Sequence, residues 1–226
     1  MNYLYDGVSL QNGRSSNMDS LLLREHVIGG LKAMIAVVCD GVGATEDGAL
    51  AASLAVRMLS EWFGGQNTVK RLGLRMRDAV LAINARIIEM AKIYSIDTAS
   101  TLSALLLLED MYYIVHTGDS RIYCYYNSIL SQLTKDDISE TGKLTSCIGQ
   151  KKNIIMFYRE GEIGGKTFLL CSDGLYKRID LQSELAKMDI STKKGLRKTI
   201  ACLTQYVIEQ DEHDNISLAL VKTQEG

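Results

Sequence analysis

Apolar residues recur at helical spacing in two long stretches of the first half of the chain. Between residues 48 and 63 they fall four apart on one face, and between 69 and 93 they alternate in steps of three and four. Asp47, a residue type that caps helix N-termini, precedes the first stretch, and Gly64 and Gly65 follow it. Both stretches therefore predict amphipathic helices with one buried face.

The other apolar segments have the shorter period of β-strands. The turn dipeptides at 29–30, 109–110 and 127–128 separate several of them as hairpins. The predicted strands are 3–9, the run into Asp40, 101–108, 111–117, 121–126, 129–133, 153–159, 166–171 and 215–222, and two further helices are predicted at 180–188 and 191–210. Long strands joined by hairpins, with helices gathered in two blocks, predict an α+β fold with antiparallel sheets and helices on the outer faces.

Three acidic residues stand where predicted strands end or begin. Asp40 and Asp173 each end an apolar run and are followed by glycine, and Asp214 opens the last strand. A single Asp-Gly at a strand end is most often only a turn. Three such carboxylates, widely spaced in the sequence, are nevertheless what a site for hard cations with oxygen ligands needs.

Two polar loops add further candidates. Arg14 and Asp19 bracket a loop before the apolar stretch 21–23, and Asp119 lies in a second loop between two predicted hairpins. A guanidinium near a carboxylate is most often a structural pair, but arginine is also suited to hold a phosphate through two parallel hydrogen bonds.

Length and charge restrict the possible classes of protein. The 226 residues, 46% of them apolar, suffice for one sizeable core, so we predict a single domain over residues 1–226. A net charge of −2 and a pI near 6.0 argue against nucleic-acid or membrane-surface partners. The basic cluster at 193–198 is interpreted as a solvated helix face. No uninterrupted apolar run approaches the ~20 residues of a membrane span.

The cysteines predict a reducing compartment. There are five, an odd number, they form no C-x-x-C pair, and most lie inside apolar strands, which is typical of a cytoplasmic protein with free thiols. Cys39 and Cys171 lie within two residues of proposed ligands, so zinc ligation by thiolate is an alternative, although burial in the core is favoured.

Taken in order along the chain, these segments resemble the metal-dependent protein phosphatases, the type 2C serine/threonine family. The matching segments are Arg14 with 17–20, then 40–43, 51–53, 117–123, 170–175 and 214–217. Each segment alone is unspecific, whereas their order and spacing over nearly the whole chain are typical of a compact bacterial member.

The resemblance implies a β-sandwich of two antiparallel sheets flanked by helices on both outer faces, with a two-metal site for Mn²⁺ or Mg²⁺ at one end. Asp40 would bridge the two ions and the Gly41 carbonyl would bind one of them, while Asp173 and Asp214 would complete the other. A water between the ions would attack phosphorus in line, so no covalent enzyme intermediate is needed.

The same resemblance assigns three further roles. Asp19 would hold metal-bound water, Arg14 would bind the phosphate, and Asp119 would help bind a third, looser ion. The implied substrates are phosphoproteins modified by a serine/threonine kinase.

Three positions depart from the family pattern. Met18 replaces a commonly acidic or amide residue, so one contact to metal or its water is missing. Val42 stands where many eukaryotic members have histidine. Only about ten residues separate Thr134 from Leu144, where relatives usually insert a small flap. The Met18 departure keeps one alternative open, a phosphatase-fold binding or regulatory protein with little turnover. A hydrolase of small phosphate esters is a second alternative, because it would share the chemistry and differ only in the substrate surface.

Overall fold

The computed structural model describes residues 2–224, whose strands form two five-stranded antiparallel sheets. The strands are β1 (Asn2–Leu10), β2 (Ser20–Ile28), β3 (Leu31–Cys39), β4 (Leu102–Leu108), β5 (Met111–Thr117), β6 (Arg121–Tyr126), β7 (Ile129–Gln132), β8 (Phe157–Glu162), β9 (Thr167–Cys171) and β10 (Ile216–Gln224). The helices are α1 (Gly48–Gly64), α2 (Leu72–Tyr94), α3 (Asp173–Tyr176), α4 (Leu181–Leu185) and α5 (Lys193–Glu209).

The two sheets pack face to face. One sheet has the order β1-β10-β9-β6-β7 and the other β2-β3-β4-β5-β8. Between them lies a buried layer that includes Met34, Val38 and Phe168. Alternate β3 residues, Ile35 and Val37, point to the opposite face, where α1 and α2 cover the sheet. Because both faces of β3 are covered, its sequence reads as a continuous apolar run rather than an alternating one.

The other sheet is covered on its outer face by α5 and the short helices α3 and α4. Leu185, Leu196 and Leu203 from the helices pack there against Leu218 and Leu220 of β10. The layer order is therefore helices, sheet, sheet, helices, and the predicted α+β sandwich is confirmed.

Two predicted boundaries are wrong by several residues. The second helix begins at Leu72 rather than at 69, because Arg71 has a left-handed backbone with φ 54° and interrupts helical geometry. The helix predicted at 180–188 is only one turn long, Leu181–Leu185, and Asp189 then accepts the backbone N–H of Ser191 in a turn.

The strand predicted at 153–159 is also misplaced. The ladder with β5 pairs residues 157 to 162, from His116↔Phe157 to Met111↔Glu162. Ile154 and Met156 lie outside this ladder and pack instead against the cluster under α1 and α2. Their apolar character therefore reflects burial under helices and not strand pairing.

Residues 133–156 connect β7 to β8 without a helix or strand of their own. Isolated bridges join Ile138 to Leu144 and Ile148 to Ser100. The second bridge ties this connection to the segment beside Gly41, which itself bridges Ser100. Within residues 2–224, none of the helices combines the length and apolar character needed to span a bilayer.

Candidate metal centre

A cavity of about 140 Å³ opens where β3 and β9 end and β10 begins. Six of the seven predicted site residues line it: Arg14, Asp40, Gly41, Asp119, Asp173 and Asp214. The seventh, Asp19, lies beside them and is 7% exposed. The structure thus brings together residues that are spread over 200 positions of the sequence.

Asp40 is fixed by its backbone. Its N–H donates to Thr101 Oγ1 (2.9 Å), and its carbonyl accepts from the N–H of Thr101 (2.9 Å) and from Ser100 Oγ (3.0 Å). With both backbone groups paired to the start of the neighbouring strand β4, the side chain is delivered to the cavity at the end of the buried strand β3.

Glycine is required at position 41 because the backbone of another segment passes close to it. A Cβ added there would lie 2.5 Å from the carbonyl carbon of Gly48, the first residue of α1. The Gly41 N–H donates to the Met18 carbonyl (3.2 Å). Gly41 and Gly48 therefore pack backbone to backbone, which sets the position of the Gly41 peptide at the cavity wall.

The loop that carries Arg14 is held by Asn215. The Asn215 side chain donates to the carbonyls of Gln11 (2.7 Å) and Ser16 (2.9 Å), and its oxygen accepts the N–H of Met18 (2.9 Å). These three hydrogen bonds hold the loop against Asn215, so that the guanidinium of Arg14 lies against the neighbouring Asp214.

Arg14 and Asp214 form a bidentate ion pair. Arg14 Nε donates to Asp214 Oδ1 (2.9 Å) and Nη2 donates to Oδ2 (2.8 Å). The Arg14 side chain is 51% exposed. Its outer side is thus open to solvent at the rim of the cavity.

Asp19 lies beside the cavity, next to Ser172 and Ser217. Ser172 Oγ donates to Asp19 Oδ2 (2.8 Å) and accepts the N–H of Ser217 (2.9 Å). The other carboxylate oxygen, Oδ1, is buried and has no hydrogen-bond partner among the described residues. A buried carboxylate oxygen without a donor is costly unless a ligand supplies one.

Asp119 is positioned by the turn between β5 and β6. Gly118 has φ +106°, a conformation that favours glycine, and donates its N–H to Asp137 Oδ2 (3.0 Å). The Asp119 carbonyl accepts from Tyr176 Oη (3.1 Å), and the guanidinium of Arg121 stacks 3.6 Å from the centre of the Tyr176 ring. A rigid aromatic contact therefore supports this edge of the cavity.

Asp173 is the first residue of α3, and its carboxylate pairs with the ammonium of Lys177 one turn later. The Asp173 side chain is 17% exposed and that of Lys177 55% exposed. The pair lies at the side of the cavity on which Asp119 is found.

The crowding of carboxyl groups changes their acidity. Burial, together with the charges of Asp19, Asp173 and Asp119, raises the pKa of Asp40 well above its ordinary value. Burial raises the pKa of Asp119 to about 6, with a further contribution from Asp173. Burial likewise raises the pKa of Asp19 to about 6, although its hydrogen bond from Ser172 acts in the opposite sense.

Asp214 behaves differently because of Arg14. Burial alone would raise the pKa of Asp214, but the hydrogen bonds from Arg14 and from the N–H of Asn215 outweigh burial and lower it. Asp214 is thus held as a carboxylate, whereas Asp40 forms no ion pair with any lysine or arginine in residues 2–224.

The donor set fits divalent cations of the Mg²⁺ and Mn²⁺ type. All the side chains concerned offer hard carboxylate oxygens, a backbone carbonyl is next to them, and the carboxylates outnumber the two protein cations. As the side chains stand in residues 2–224, no three His, Cys, Asp or Glu groups are arranged around one common point. Arg14 contacts both oxygens of Asp214, whereas Lys177 contacts one oxygen of Asp173, so an ion at Asp214 would have to take over an oxygen that now binds Arg14.

The thiolate alternative for Cys39 and Cys171 finds no support in the geometry. Both side chains are fully buried in hydrophobic clusters, and burial raises the pKa of each thiol. All five cysteines are free thiols. His213, next to Asp214 in the sequence, is exposed and pairs with Asp211 (3.0 Å).

Sequence reasoning missed several residues that build the site. Thr101, Ser172 and Asn215 hold the acidic residues in place, but each was interpreted only as part of a strand or motif. Their shared signal is a small polar side chain at a strand end beside an acidic residue. Lys177 carried no signal except its spacing of four residues from Asp173.

Comparison with known proteins places this chain in a family. The model for protein phosphatase 2C matches residues 7–217. A curated relative, the serine/threonine phosphatase stp of Listeria monocytogenes, is 27% identical over 221 residues that span 85% of this chain and 86% of that protein. The chain belongs to the protein phosphatase 2C family.

Solved structures agree on the fold. The serine/threonine phosphatase Stp1 from Staphylococcus aureus superposes with a TM-score of 0.88 at 18% identity, covering 100% of this chain and 96% of that one. The catalytic domain of the serine/threonine protein phosphatase PstP, solved in complex with two manganese ions, gives a TM-score of 0.82 at 22% identity and covers 99% of both chains. The sandwich architecture is thereby confirmed, while the family itself is confirmed by the match of its model over residues 7–217.

Proposed function

We propose that this chain hydrolyses phosphoserine and phosphothreonine in proteins, with divalent metal ions held by Asp40, Asp173 and Asp214. The observation that carries the proposal is the convergence of these carboxylates, with Arg14, on one cavity at the strand ends. Membership of the protein phosphatase 2C family supports a metal-dependent phosphatase. We further propose two ions, Mn²⁺ or Mg²⁺, as in the PstP structure with two manganese ions.

The proposed roles of the residues are those that the family resemblance implies, and all four residues line the cavity. Asp40 would hold both ions and the Gly41 carbonyl would bind one of them, while Asp173 and Asp214 would complete the site of the other. When bound, divalent cations at such a site activate water as a nucleophile and neutralise charge on the phosphoryl oxygens.

Arg14 and Asp19 would act around the ions. Arg14 has an exposed face at the rim and would orient the phosphate with its planar guanidinium. The unpaired Oδ1 of Asp19 would accept a hydrogen bond from water at the ions.

We also propose a class of substrate protein and a cellular location for this chain. Phosphatase relatives imply phosphoprotein substrates, and we propose that this chain opposes a serine/threonine kinase. The five free thiols are in keeping with work in the cytoplasm.

The test is hydrolysis of an aryl phosphate and of a phosphothreonine peptide in the presence of Mn²⁺. Activity on both should be abolished by EDTA and by Asp173→Asn, whereas Glu184→Gln, a carboxylate change on α4 outside the cavity, should leave it intact. A peptide kcat/KM no higher than that for free phosphoserine would favour the small-ester hydrolase. Wild-type protein that binds Mn²⁺ and leaves both substrates intact would contradict the proposal.

Mn²⁺ binding without hydrolysis is what a binding or regulatory protein would show. Met18 is the observation that favours this second candidate function. Met18 lines the cavity, where its thioether offers no hard oxygen to a cation. Met18→Glu should tighten Mn²⁺ binding and raise turnover, while Met18→Leu, which keeps an apolar side chain, should do neither. If the wild-type chain is a binding protein, its turnover should be close to zero, and Met18→Glu should raise it.

A further inference from the structure

Lys177 is a protein cation next to the acidic cavity, where it pairs with the cavity-lining Asp173. Its ammonium contacts Asp173 Oδ2; Asp173 is the first residue of α3, and Lys177 follows the last residue of this one-turn helix. Among the described residues, Asp173 Oδ1 takes part in no ion pair, and Asp40 lines the same cavity as Asp173. Asp173 can thus serve an ion on the Asp40 side while Lys177 holds its other oxygen.

The loop that carries Asp119 lies against the same turn. Tyr176, the residue before Lys177, donates its Oη to the Asp119 carbonyl (3.1 Å), and Asp119 and Asp173 both line the cavity. Lysine is protonated at neutral pH, so the Lys177 ammonium adds a positive charge beside these two carboxyl groups.

Asp119 forms no ion pair with any lysine or arginine of the described residues. Arg121, two residues later, donates to Asp136 (2.6 Å and 3.0 Å) and stacks on Tyr176, so its charge is committed elsewhere. A further metal ion at this edge would need both Asp119 and Asp173, and it would lie beside a fixed positive charge.

We propose that Lys177 supplies the positive charge at the Asp119–Asp173 edge, so that this edge takes up no separate divalent ion. The proposal rests on the proposed metal-dependent function and refines it: the chain works with two ions and one lysine, and the role that the family resemblance gives to Asp119 in binding a third ion is not performed. Lys177 is a positioning residue, because it acts through Asp173 and Asp119.

The experiment counts bound ions. Mn²⁺ uptake at saturation is measured by equilibrium dialysis and by the electron paramagnetic resonance signal of free Mn²⁺, for wild type, Lys177→Met and Lys177→Arg. We expect two ions in wild type and in Lys177→Arg, and one additional, weakly held ion in Lys177→Met. Lys187→Met, which removes the similarly spaced ion pair of Lys187 with Glu184 on α4, controls for the loss of a surface lysine and should bind two ions.

Three ions in wild type, or the same number in wild type and Lys177→Met, would overturn the role of Lys177 while leaving metal-dependent hydrolysis untouched. No Mn²⁺ uptake by any of the proteins would overturn the proposed function and this inference together. Circular dichroism of each variant establishes that it is folded before ions are counted, and Lys177→Arg keeps the proposal testable if Lys177→Met fails to fold, because an arginine variant with a third ion would also contradict it.

Discussion

Arg14 and Asp214 face each other across 200 residues of sequence in a two-point ion pair, with donor–acceptor distances of 2.9 and 2.8 Å. In the proposed reaction both groups have other partners, since Asp214 would bind an ion and Arg14 the phosphate. Cation binding at Asp214 would therefore compete with Arg14 and release the guanidinium for substrate. The pair would in this way link metal occupancy to phosphate binding through a single carboxylate.

The first prediction concerns Arg14→Ala. Loss of a two-point contact to the phosphate should raise KM for a phosphothreonine peptide roughly 10- to 100-fold, the equivalent of ~1.5–3 kcal/mol for hydrogen bonds to charged groups, with a smaller effect on kcat. The same change should tighten Mn²⁺ binding, because Asp214 loses its competing cation. Steady-state kinetics and Mn²⁺ titration measure the two effects.

Arg77→Ala is the matched control, because Arg77 pairs with Asp78 on the exposed face of α2. It should change neither quantity. An Arg14→Ala variant with unaltered KM would show that Arg14 does not contact the phosphate.

Asp40→Asn should stabilise the metal-free protein. Asp40 lies among three other carboxyl groups without a cation of its own, so neutralising it relieves repulsion on the order of 1 kcal/mol and raises Tm by about 2–4 °C for a chain of this size. The variant should also lose the added stability that Mn²⁺ gives wild type, which is about 2.7 kcal/mol at one hundred times the dissociation constant. Thermal unfolding with Mn²⁺ and with EDTA separates the two effects.

Asp78→Asn removes an exposed carboxylate from α2 and serves as the comparison, with the full Mn²⁺ increment retained. If Asp40→Asn were stabilised by Mn²⁺ as much as wild type, Asp40 would not be a ligand.

Gly48→Ala should weaken metal binding from outside the ligand set. A Cβ at residue 48 would lie 2.7 Å from the Gly41 carbonyl carbon and from the N–H nitrogen of Val42, so the peptide that carries the proposed ligand carbonyl must move. We expect a loss of roughly 1–3 kcal/mol in stability and a weaker affinity for Mn²⁺, measured by urea unfolding and Mn²⁺ titration.

The control lies at the other end of the same helix. A Cβ on Gly65 would meet its nearest atom at 3.6 Å, so Gly65→Ala should leave Mn²⁺ affinity unchanged. Equal Mn²⁺ affinity in wild type and Gly48→Ala would mean that the contact between residues 41 and 48 does not position a ligand.

The strand that delivers Asp40 was predictable because its signal is local. β3 is buried on both faces, and its apolar run from residue 33 to residue 39, followed by Asp-Gly, records this directly in the sequence. The position of β8 was not predictable in this way. Ile154 and Met156, which precede it, are apolar because they pack under helices that are distant in sequence, and not because they pair in the sheet. Strand pairing and helix coverage leave the same apolar signature over a few residues.

The acidic residues of the site were predictable, whereas their partners were not. Asp40, Asp173 and Asp214 each follow or precede an apolar strand, and strand order alone gathers them. The pairings Arg14–Asp214 and Lys177–Asp173 depend on side-chain direction within a cavity that is assembled from several loops. No spacing rule decides whether a carboxylate faces an ion, an arginine or a lysine.

His116 is a buried histidine that does not line the cavity. Its Nε2 lies 3.0 Å from the carbonyl of Lys135, and its Nδ1 lies 2.8 Å from Ser103 Oγ, whose hydroxyl also donates to the Ser120 carbonyl (2.8 Å). Burial lowers the pKa of His116 below its ordinary value of 6.5. Below pH 6.5 the imidazole is therefore protonated in the unfolded chain but still neutral in the folded protein. The free energy of unfolding consequently falls as the pH drops from 6.5 toward the pKa of His116 in the folded protein.

The measurement is the free energy of unfolding in urea between pH 7 and 5 for wild type and His116→Gln, both in EDTA. Other acidic groups titrate alike in the two proteins, so their difference isolates the histidine. The stability of wild type relative to His116→Gln should decline on acidification, with a slope no steeper than about 1.4 kcal/mol per pH unit for a single proton. A difference that is constant over this range would mean that the imidazole is as easily protonated in the core as in water, which would contradict the effect of burial on its pKa.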